Sequence, residues 1–201
     1  MDMLEDPARP SSSALLLIDV FSHFRFVDGD RLAQAQQQAA PAMAAAAAAC
    51  RSRGIAVIYC NDNFQQWQGT WKDVLAYTVR EGPTASARLA ELLAPQEGDV
   101  VLLKSRHSAF FHTQLTPLLA FLKVRDLAIA GAATDACVLG TAIDAHIRGF
   151  RVAMLDDAVA ATTPERNERA LLHASDSVGL NVCGHAQWLA TTTAGNAGAG
   201  G

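Results

Sequence analysis

Short apolar runs recur along the chain with helical segments between them, and this alternation limits the possible folds more than any other feature. The runs are rich in valine, isoleucine, leucine and alanine and do not alternate in polarity, as is typical of parallel strands covered on both faces. We assign strands to residues 14–18, 55–59, 100–103, 127–130 and 151–155, with a weaker sixth at 180–183.

Helical segments fill the intervals between these runs. They are predicted at residues 31–53, 84–93, 113–122, 136–148 and 164–175. Gly54 is a suitable residue to end the first segment. Pro41 lies inside it, so the segment is either two helices or one kinked helix. Strands that alternate with helices in this way predict a doubly wound α/β sheet.

The 201 residues suffice for one domain with a full hydrophobic core. We expect a single domain over residues 14–190, after a flexible N-terminal segment, residues 1–13. Residues 191–201 are low in complexity and have no core-facing pattern, so we expect a disordered tail there.

Charge and hydropathy restrict the possible partners and the location. The formal net charge is −4 and no run is rich in lysine or arginine, so neither nucleic acid nor an anionic membrane is expected as a partner. The N-terminus lacks the features of a secretory signal, and the longest apolar stretch, residues 42–50, is too short to span a bilayer. We therefore expect a cytoplasmic protein that acts on a small molecule.

The four cysteines show no disulfide or zinc-binding pattern. Without a secretory signal, disulfides are not expected. Three of the thiols are expected to fill space in the core, since an unpaired cysteine behaves as a small apolar residue. Cys50, Cys60 and Cys183 are assigned to this group, which leaves Cys137.

Three reactive side chains stand where predicted strands end. Asp19 follows the first strand, Lys104 follows the third, and Cys137 follows the fourth, just before a helix. In an open α/β sheet, ligands bind at the carboxyl ends of the strands. A carboxylate, an ammonium group and a thiol are therefore predicted to meet at one edge.

These three groups suit nucleophilic catalysis. The thiolate is the reactive form of cysteine, and a nearby Lys104 and a helix N-terminus both favour it, so we expect a lowered pKa for Cys137. Asp19 can take the thiol proton and deliver it to a leaving amine. Singly, each residue also has an ordinary explanation: a turn-capping aspartate, a solvated lysine and a buried cysteine.

The residues around the three side chains resemble the isochorismatase-like cysteine hydrolases, which include nicotinamidases and N-carbamoylsarcosine amidohydrolases. The resemblance rests on LLLID before Asp19, VVLLK up to Lys104 and GAATDACVLGTAIDAHIRGFRV around Cys137. It implies an α/β fold: a three-layer α/β/α sandwich with a six-stranded, mainly parallel sheet. It also implies a dimer or tetramer.

The same resemblance assigns roles to individual residues. It implies that Asp19, Lys104 and Cys137 form a catalytic triad. It further implies a cis peptide between Ala132 and Ala133, which would direct the N–H of Ala133 and the N–H of Cys137 to one oxyanion hole.

The chain departs from the nicotinamidases where those enzymes bind a metal. Their Asp-x-His pair corresponds here to residues 61–64, Asn-Asp-Asn-Phe, which include no histidine. Asp62 alone cannot hold a transition metal, so we expect no metal and no other cofactor. The absence of histidine also weakens the case for nicotinamide as substrate.

Several residues are candidates for the substrate pocket. Residues 61–82 have little periodicity and are predicted to form a long loop that walls the site. His107 and His112 could touch substrate, although exposure to solvent explains them more simply. The candidates for the pocket wall are Phe24, Asn63, Trp67, Phe110 and Phe111, with core packing as the alternative for the aromatic residues.

Hydrolysis of a small amide-type C–N bond through a Cys137 thioester is the function that these features favour. Vinyl-ether hydrolysis of the isochorismatase kind is an alternative that needs no thiol nucleophile. A non-catalytic binding module is another. However, a nucleotide site would place a glycine-rich loop after Asp19, where the chain has the bulky residues 20–26.

Overall fold

The computed structural model describes residues 12–192 and shows one six-stranded sheet. The strands are β1 (Ser12–Ile18), β2 (Ala56–Asp62), β3 (Val100–Lys104), β4 (Val124–Ala132), β5 (Arg151–Ala160) and β6 (Asn181–Cys183). Their order across the sheet is β3-β2-β1-β4-β5-β6, and every pair is parallel. The predicted sixth strand is therefore present, and the sheet is wholly rather than mainly parallel.

Seven α-helices connect these strands within the described residues. They are α1 (Gly29–Ser52), α2 (Trp71–Glu81), α3 (Thr84–Leu92), α4 (Leu115–Phe121), α5 (Leu139–Ile147), α6 (Pro164–Leu172) and α7 (His185–Thr191). Two π-helical turns, Thr134–Val138 and His173–Val178, precede α5 and follow α6. None of these helices is long and apolar enough to cross a membrane.

Two hydrophobic clusters lie on opposite faces of the sheet. In β1, Leu15 and Leu17 face one cluster, whereas Leu16 and Ile18 face the other, as the two-residue period of a strand requires. The first cluster includes residues of α1, α3 and α7, and the second includes residues of α4 and α5. This arrangement is the predicted three-layer α/β/α sandwich.

Pro41 does not divide α1 into two helices. The element is one helix of 24 residues with Pro41 inside it, and its buried side is largely alanine. Small alanine side chains let the helix lie close to the sheet. We infer that this packing offsets the backbone hydrogen bond that the proline lacks.

The prediction of one long loop over residues 61–82 is wrong. Strand β2 continues to Asp62, and α2 occupies Trp71–Glu81. At the start of this helix, both Thr70 N and Thr70 Oγ1 donate hydrogen bonds to Asp73 Oδ2. The Thr-x-x-Asp spacing is the sequence signal for such a helix start.

The predicted domain limits fall close to the ends of the described chain. Strand β1 begins at Ser12, and α7 ends at Thr191. Residues 1–11 and 193–201 lie outside the described residues, so the predicted flexible segment and disordered tail stay predictions there.

Candidate active site

Asp19 and Lys104 form a buried ion pair at the carboxyl edge of the sheet. Lys104 Nζ lies 2.6 Å from Asp19 Oδ2, and the lysine side chain has 0% of its surface exposed. Lys104 Nζ also donates to the Arg106 carbonyl oxygen at 3.1 Å. The lysine is thus a fixed cation rather than a solvated one at a strand end.

The backbone around Asp19 holds its carboxylate in place. Asp19 has a φ of 48°, a left-handed conformation that non-glycine residues seldom adopt. Its N–H donates to the Cys60 carbonyl oxygen at 3.1 Å. Its Oδ1 accepts the N–H of Asp62 at 2.6 Å, so the two carboxylate oxygens have partners at the ends of β2 and β3.

Asn61 fixes the segment that follows Asp19. Its Oδ1 accepts the N–H of Phe21 at 2.9 Å, and its Nδ2 donates to the Phe21 carbonyl oxygen at 3.0 Å. Asn61 is 1% exposed. Its amide makes the hydrogen bonds to the backbone of Phe21 that a neighbouring strand would make if β1 continued. This positioning role was not predicted from the sequence.

Cys137 lies in the π-helical turn between β4 and α5. It is partly buried, and its thiol lies close enough to the side chains of both Asp19 and Lys104 for them to shift its pKa. The three groups predicted at strand ends are thus brought together. Another contact was not predicted: His107 Nδ1 lies 3.4 Å from Cys137 Sγ.

Neither Thr134 nor Asp135 caps the helix that follows Cys137. Thr134 Oγ1 is hydrogen-bonded to Asn167 of α6, and Asp135 forms an ion pair with Arg166. Both side chains point to α6 rather than to the first turn. They join the Cys137 turn to the neighbouring helix instead.

The charge states in the site follow from burial. Burial raises the pKa of Asp19, and the positive charge of Lys104 offsets this only in part. Burial alone would lower the pKa of Lys104, but the negative charge of Asp19 raises it, as does the negative charge of Cys137 once its thiol ionises. The structure therefore has a permanent cation beside a carboxylate that can hold a proton.

The expectation of a lowered Cys137 pKa is wrong for the resting site. Burial raises the pKa of the thiol, and the negative charge of Asp19 raises it further, against the smaller opposing effect of Lys104. Cys137 is therefore a thiol at neutral pH and needs a base when it attacks. Desolvation cannot be read from the sequence, which shows only that a lysine is present.

The chain reverses direction sharply between β4 and Cys137. The peptide bond between Ala132 and Ala133 is cis, in agreement with the resemblance. Gly131 before it has a φ of 119°, and a Cβ there would lie 2.0 Å from the Ile18 carbonyl oxygen. Only glycine fits this position. No described residue accepts a hydrogen bond from the N–H of Ala133, which is therefore available to a ligand.

The predicted pocket residues do not form one wall. Phe24 is 6% exposed and belongs to the cluster under α1, whereas Phe110 belongs to the cluster on the other face, where its ring lies 6.0 Å from that of Phe150. Trp67 and Phe111 are 71% and 47% exposed. Phe110 is therefore a core residue, which was the alternative to a role in the pocket wall.

Asn63 and an aromatic group lie on the loop beside Asp62. Asn63 is buried, and its Oδ1 accepts the N–H of Gln65. Next to it, the Phe64 ring lies 4.6 Å from the His23 ring, and Tyr77 of α2 lies 5.7 Å from the same ring. The helix within residues 61–82 thus brings an aromatic residue to this loop.

The structure has a cavity of about 520 Å³ that is not lined by the triad. It lies between α1 and the segment from β5 to α6, with Arg31, Gln38, Thr162 and Asn167 in its lining. No triad side chain lines it. Within residues 12–192, no group of three or more histidine, cysteine or acidic side chains could hold a metal ion.

Comparison with known proteins agrees with this architecture. The isochorismatase domain family matches residues 13–187. The uncharacterized isochorismatase family protein YaaI of Bacillus subtilis is 34% identical over 161 residues, which cover 80% of this chain and 87% of that protein. Maleamate amidohydrolase of Pseudomonas putida is 31% identical over 173 residues, which cover 83% and 80%.

Solved structures show the same fold. An isochorismatase-like hydrolase from Alkaliphilus metalliredigens superposes with a TM-score of 0.71 at 23% identity, over 90% of this chain and 96% of that one. The matching domain extends over most of the chain, and the strand-end residues that carried the resemblance lie within it. The chain therefore belongs to the isochorismatase family of hydrolases.

Proposed function

We propose that the protein hydrolyses a small amide-type C–N bond through a thioester on Cys137. The observation that carries this proposal is the buried ion pair of Lys104 and Asp19, 2.6 Å apart, within reach of the half-buried Cys137 thiol. A cysteine, a base and a fixed cation around one point are the components of nucleophilic acyl transfer.

The first half-reaction forms the acyl-enzyme. Asp19 accepts the proton of Cys137 as Sγ attacks the carbonyl carbon, and the positive charge of Lys104 stabilises the thiolate. The N–H groups of Ala133 and Cys137 then donate to the oxyanion of the tetrahedral intermediate. When the C–N bond breaks, Asp19 returns its proton to the nitrogen, and ammonia or an amine leaves.

The second half-reaction regenerates the enzyme. Asp19, again a carboxylate, removes a proton from water as the water oxygen attacks the thioester carbon. The C–S bond breaks, the acid product leaves, and Cys137 recovers its proton from Asp19. The raised pKa of Asp19 suits both directions of transfer, because burial makes it easier for the carboxylate to take up a proton.

The relatives support C–N bond chemistry. Besides maleamate amidohydrolase, the similar proteins include ureidoacrylate amidohydrolase of Caulobacter segnis, 30% identical over 161 residues. Both names describe cleavage of an amide-type bond. Phe24 and Asn63, which follow β1 and β2, remain our candidates for substrate contacts.

Three further expectations accompany this proposal. Cytoplasmic location and a dimeric or tetrameric state are proposed from the sequence and the resemblance. The absence of a metal or other cofactor is proposed from the residues 61–64, which lack the histidine of the nicotinamidase pattern.

A substrate panel tests the proposal. Maleamate, ureidoacrylate, nicotinamide and simple carbamoyl compounds are incubated with the enzyme, and release of ammonia or amine is measured. We expect turnover of at least one compound that is lost in Cys137→Ala and kept in Cys183→Ala, a matched change at a buried cysteine. Turnover that survives in Cys137→Ala would contradict the thioester, and such turnover on isochorismate would favour vinyl-ether chemistry.

A further inference from the structure

His107 is not part of the triad, yet its side chain is in direct contact with the sulfur of Cys137. Its Nδ1 lies 3.4 Å from Sγ, within the range of a hydrogen bond to sulfur. The imidazole is exposed, whereas Asp19 and Lys104 are enclosed and paired with each other. The thiol thus lies between a buried carboxylate and a solvent-facing imidazole.

The loop that carries His107 is tied to the helix that follows Cys137. Ser108 Oγ donates to Asp144 Oδ2 at 2.6 Å, and the Ala109 N–H donates to Thr141 Oγ1 at 3.1 Å. Both acceptors lie on α5. The position of His107 relative to Cys137 is therefore set by bonds on the next residues of its loop.

Gly140 allows this close approach. A Cβ at Gly140 would lie 3.6 Å from His107 Cβ and 4.0 Å from Ser108 N, so the loop rests directly on the first turn of α5. The contact of His107 with Cys137 is thus part of a packed arrangement, with a glycine and two side-chain hydrogen bonds behind it.

The partners of Asp19 leave room for a second proton acceptor. One carboxylate oxygen faces Lys104 and the other accepts the Asp62 N–H, each at 2.6 Å. Asp19 therefore exchanges protons within an enclosed network. An imidazole can both accept a proton at Nδ1 and exchange it with water through its exposed side.

We infer that His107 is a second catalytic base for Cys137, which takes the thiol proton on Nδ1 and connects the nucleophile to solvent. The inference extends the proposed thioester mechanism. In this step the S–H bond breaks and an Nδ1–H bond forms, which gives a thiolate beside an imidazolium. The imidazolium gives this proton to the leaving nitrogen as the C–N bond breaks, and Sγ recovers a proton from the water that hydrolyses the thioester.

Several charged groups lie on the elements that carry this pair. They are Asp19 and Lys104 in the site, Arg106 beside His107 on the loop, and Asp144 with its ion-pair partner Arg148 on α5. Variants that leave these groups unchanged isolate the imidazole.

The test is the pH dependence of Cys137 alkylation by iodoacetamide, with each cysteine mapped by mass spectrometry. In the wild type we expect the rate to rise with pH well before the strongly alkaline range, as the imidazole becomes able to accept the thiol proton. In His107→Ala and His107→Gln this rise should disappear and the rate at pH 7.5 should fall about tenfold. At strongly alkaline pH the variants should approach the wild type, because hydroxide then removes the proton. His146→Ala, an exposed histidine on α5, is the control and should keep the wild-type profile.

Two outcomes would overturn the inference. One is a profile of His107→Ala that superimposes on that of the wild type. The other is an equal loss of rate at every pH, strongly alkaline pH included, which indicates a structural role. Free imidazole should also restore the rate of His107→Ala at pH 7.5, which no loss of packing explains.

Alkylation needs no substrate, so it separates this inference from the proposed function. If Cys137 shows the His107-dependent rise but no amide is hydrolysed, the proposed function fails and the inference stands. If amides are hydrolysed at Cys137 and His107→Ala leaves both the alkylation profile and turnover unchanged, the inference alone fails.

Discussion

Lys104 Nζ lies 2.6 Å from Asp19 Oδ2, although β2 separates the two strands that carry these residues. The contact is possible because all strands are parallel and end at the same edge of the sheet. The pair is enclosed, with 0% and 13% of the two side-chain surfaces exposed. The same ion pair is therefore expected to stabilise the edge of the sheet and to take part in the chemistry proposed at Cys137.

The Lys104→Met variant should be clearly less stable than the wild type. It leaves the Asp19 carboxylate enclosed without a cation, which typically costs about 3–5 kcal/mol of unfolding free energy. Urea unfolding at pH 7 measures this loss. Adding Asp19→Asn to Lys104→Met should restore part of it, because the unpaired charge is then gone.

Arg25→Met is the matched control for the ion pair. Arg25 pairs with Glu81, but 63% of the arginine side chain is exposed, so solvent already screens that interaction. Its urea unfolding should be close to that of the wild type. If Lys104→Met also unfolds like the wild type, the pair has no structural role.

Gly131→Ala should disrupt the start of the Cys137 turn. The added Cβ would lie 2.0 Å from the Ile18 carbonyl oxygen, so β1 and β4 would have to separate near the site. We expect a large loss of stability and loss of Cys137-dependent hydrolysis. Gly149→Ala is the control, because its φ of 84° is also positive but nothing lies within 4 Å of its Cβ. It should cost only about 1–2 kcal/mol of unfolding free energy, and equal effects of the two substitutions would contradict the steric argument.

Buried thiols should make the protein less stable at alkaline pH. Burial raises the pKa of Cys50 from 9.0 to about 12. Between these values the folded state binds more protons than the unfolded state, so the free energy of unfolding falls as the pH rises. The contribution of Cys50 is full below about pH 9 and is lost as the pH rises towards about 12.

Denaturant unfolding between pH 9 and 10.5 compares Cys50→Ala with the wild type. The variant should lose stability less steeply, by up to about 1.4 kcal/mol per pH unit. A constant offset at all pH values would reflect packing alone. Parallel slopes over this range would show that the Cys50 thiol is not protected from ionisation.

Much of the fold could be predicted because continuous apolar runs fix parallel strands. The prediction for β5 stopped at residue 155, whereas the strand continues to Ala160. Asp156 and Asp157 are exposed within it, and two adjacent charged residues ordinarily end a strand in a sequence pattern. Helix α2 was missed because its start depends on a hydrogen-bonded turn rather than on apolar periodicity.

The site was predictable only as far as strand ends determine it. Asp19, Lys104 and Cys137 follow from the sheet, but the contact of His107 with Cys137 depends on a loop that rests on Gly140. The predicted lowering of the Cys137 pKa was also wrong, because burial and the negative charge of Asp19 raise this pKa more than the positive charge of Lys104 lowers it. The relative size of these effects on a pKa depends on three-dimensional distances and burial, which the sequence alone does not give.

The proposed mechanism requires that Cys137 carries the acyl group during turnover. The most direct measurement is acid quenching during turnover of an amide substrate, followed by intact mass and peptide mapping. An adduct with the mass of the acyl group on Cys137 is predicted, which disappears as substrate is exhausted. Continued hydrolysis by Cys137→Ala, with no adduct at any time in the wild type, would contradict the account.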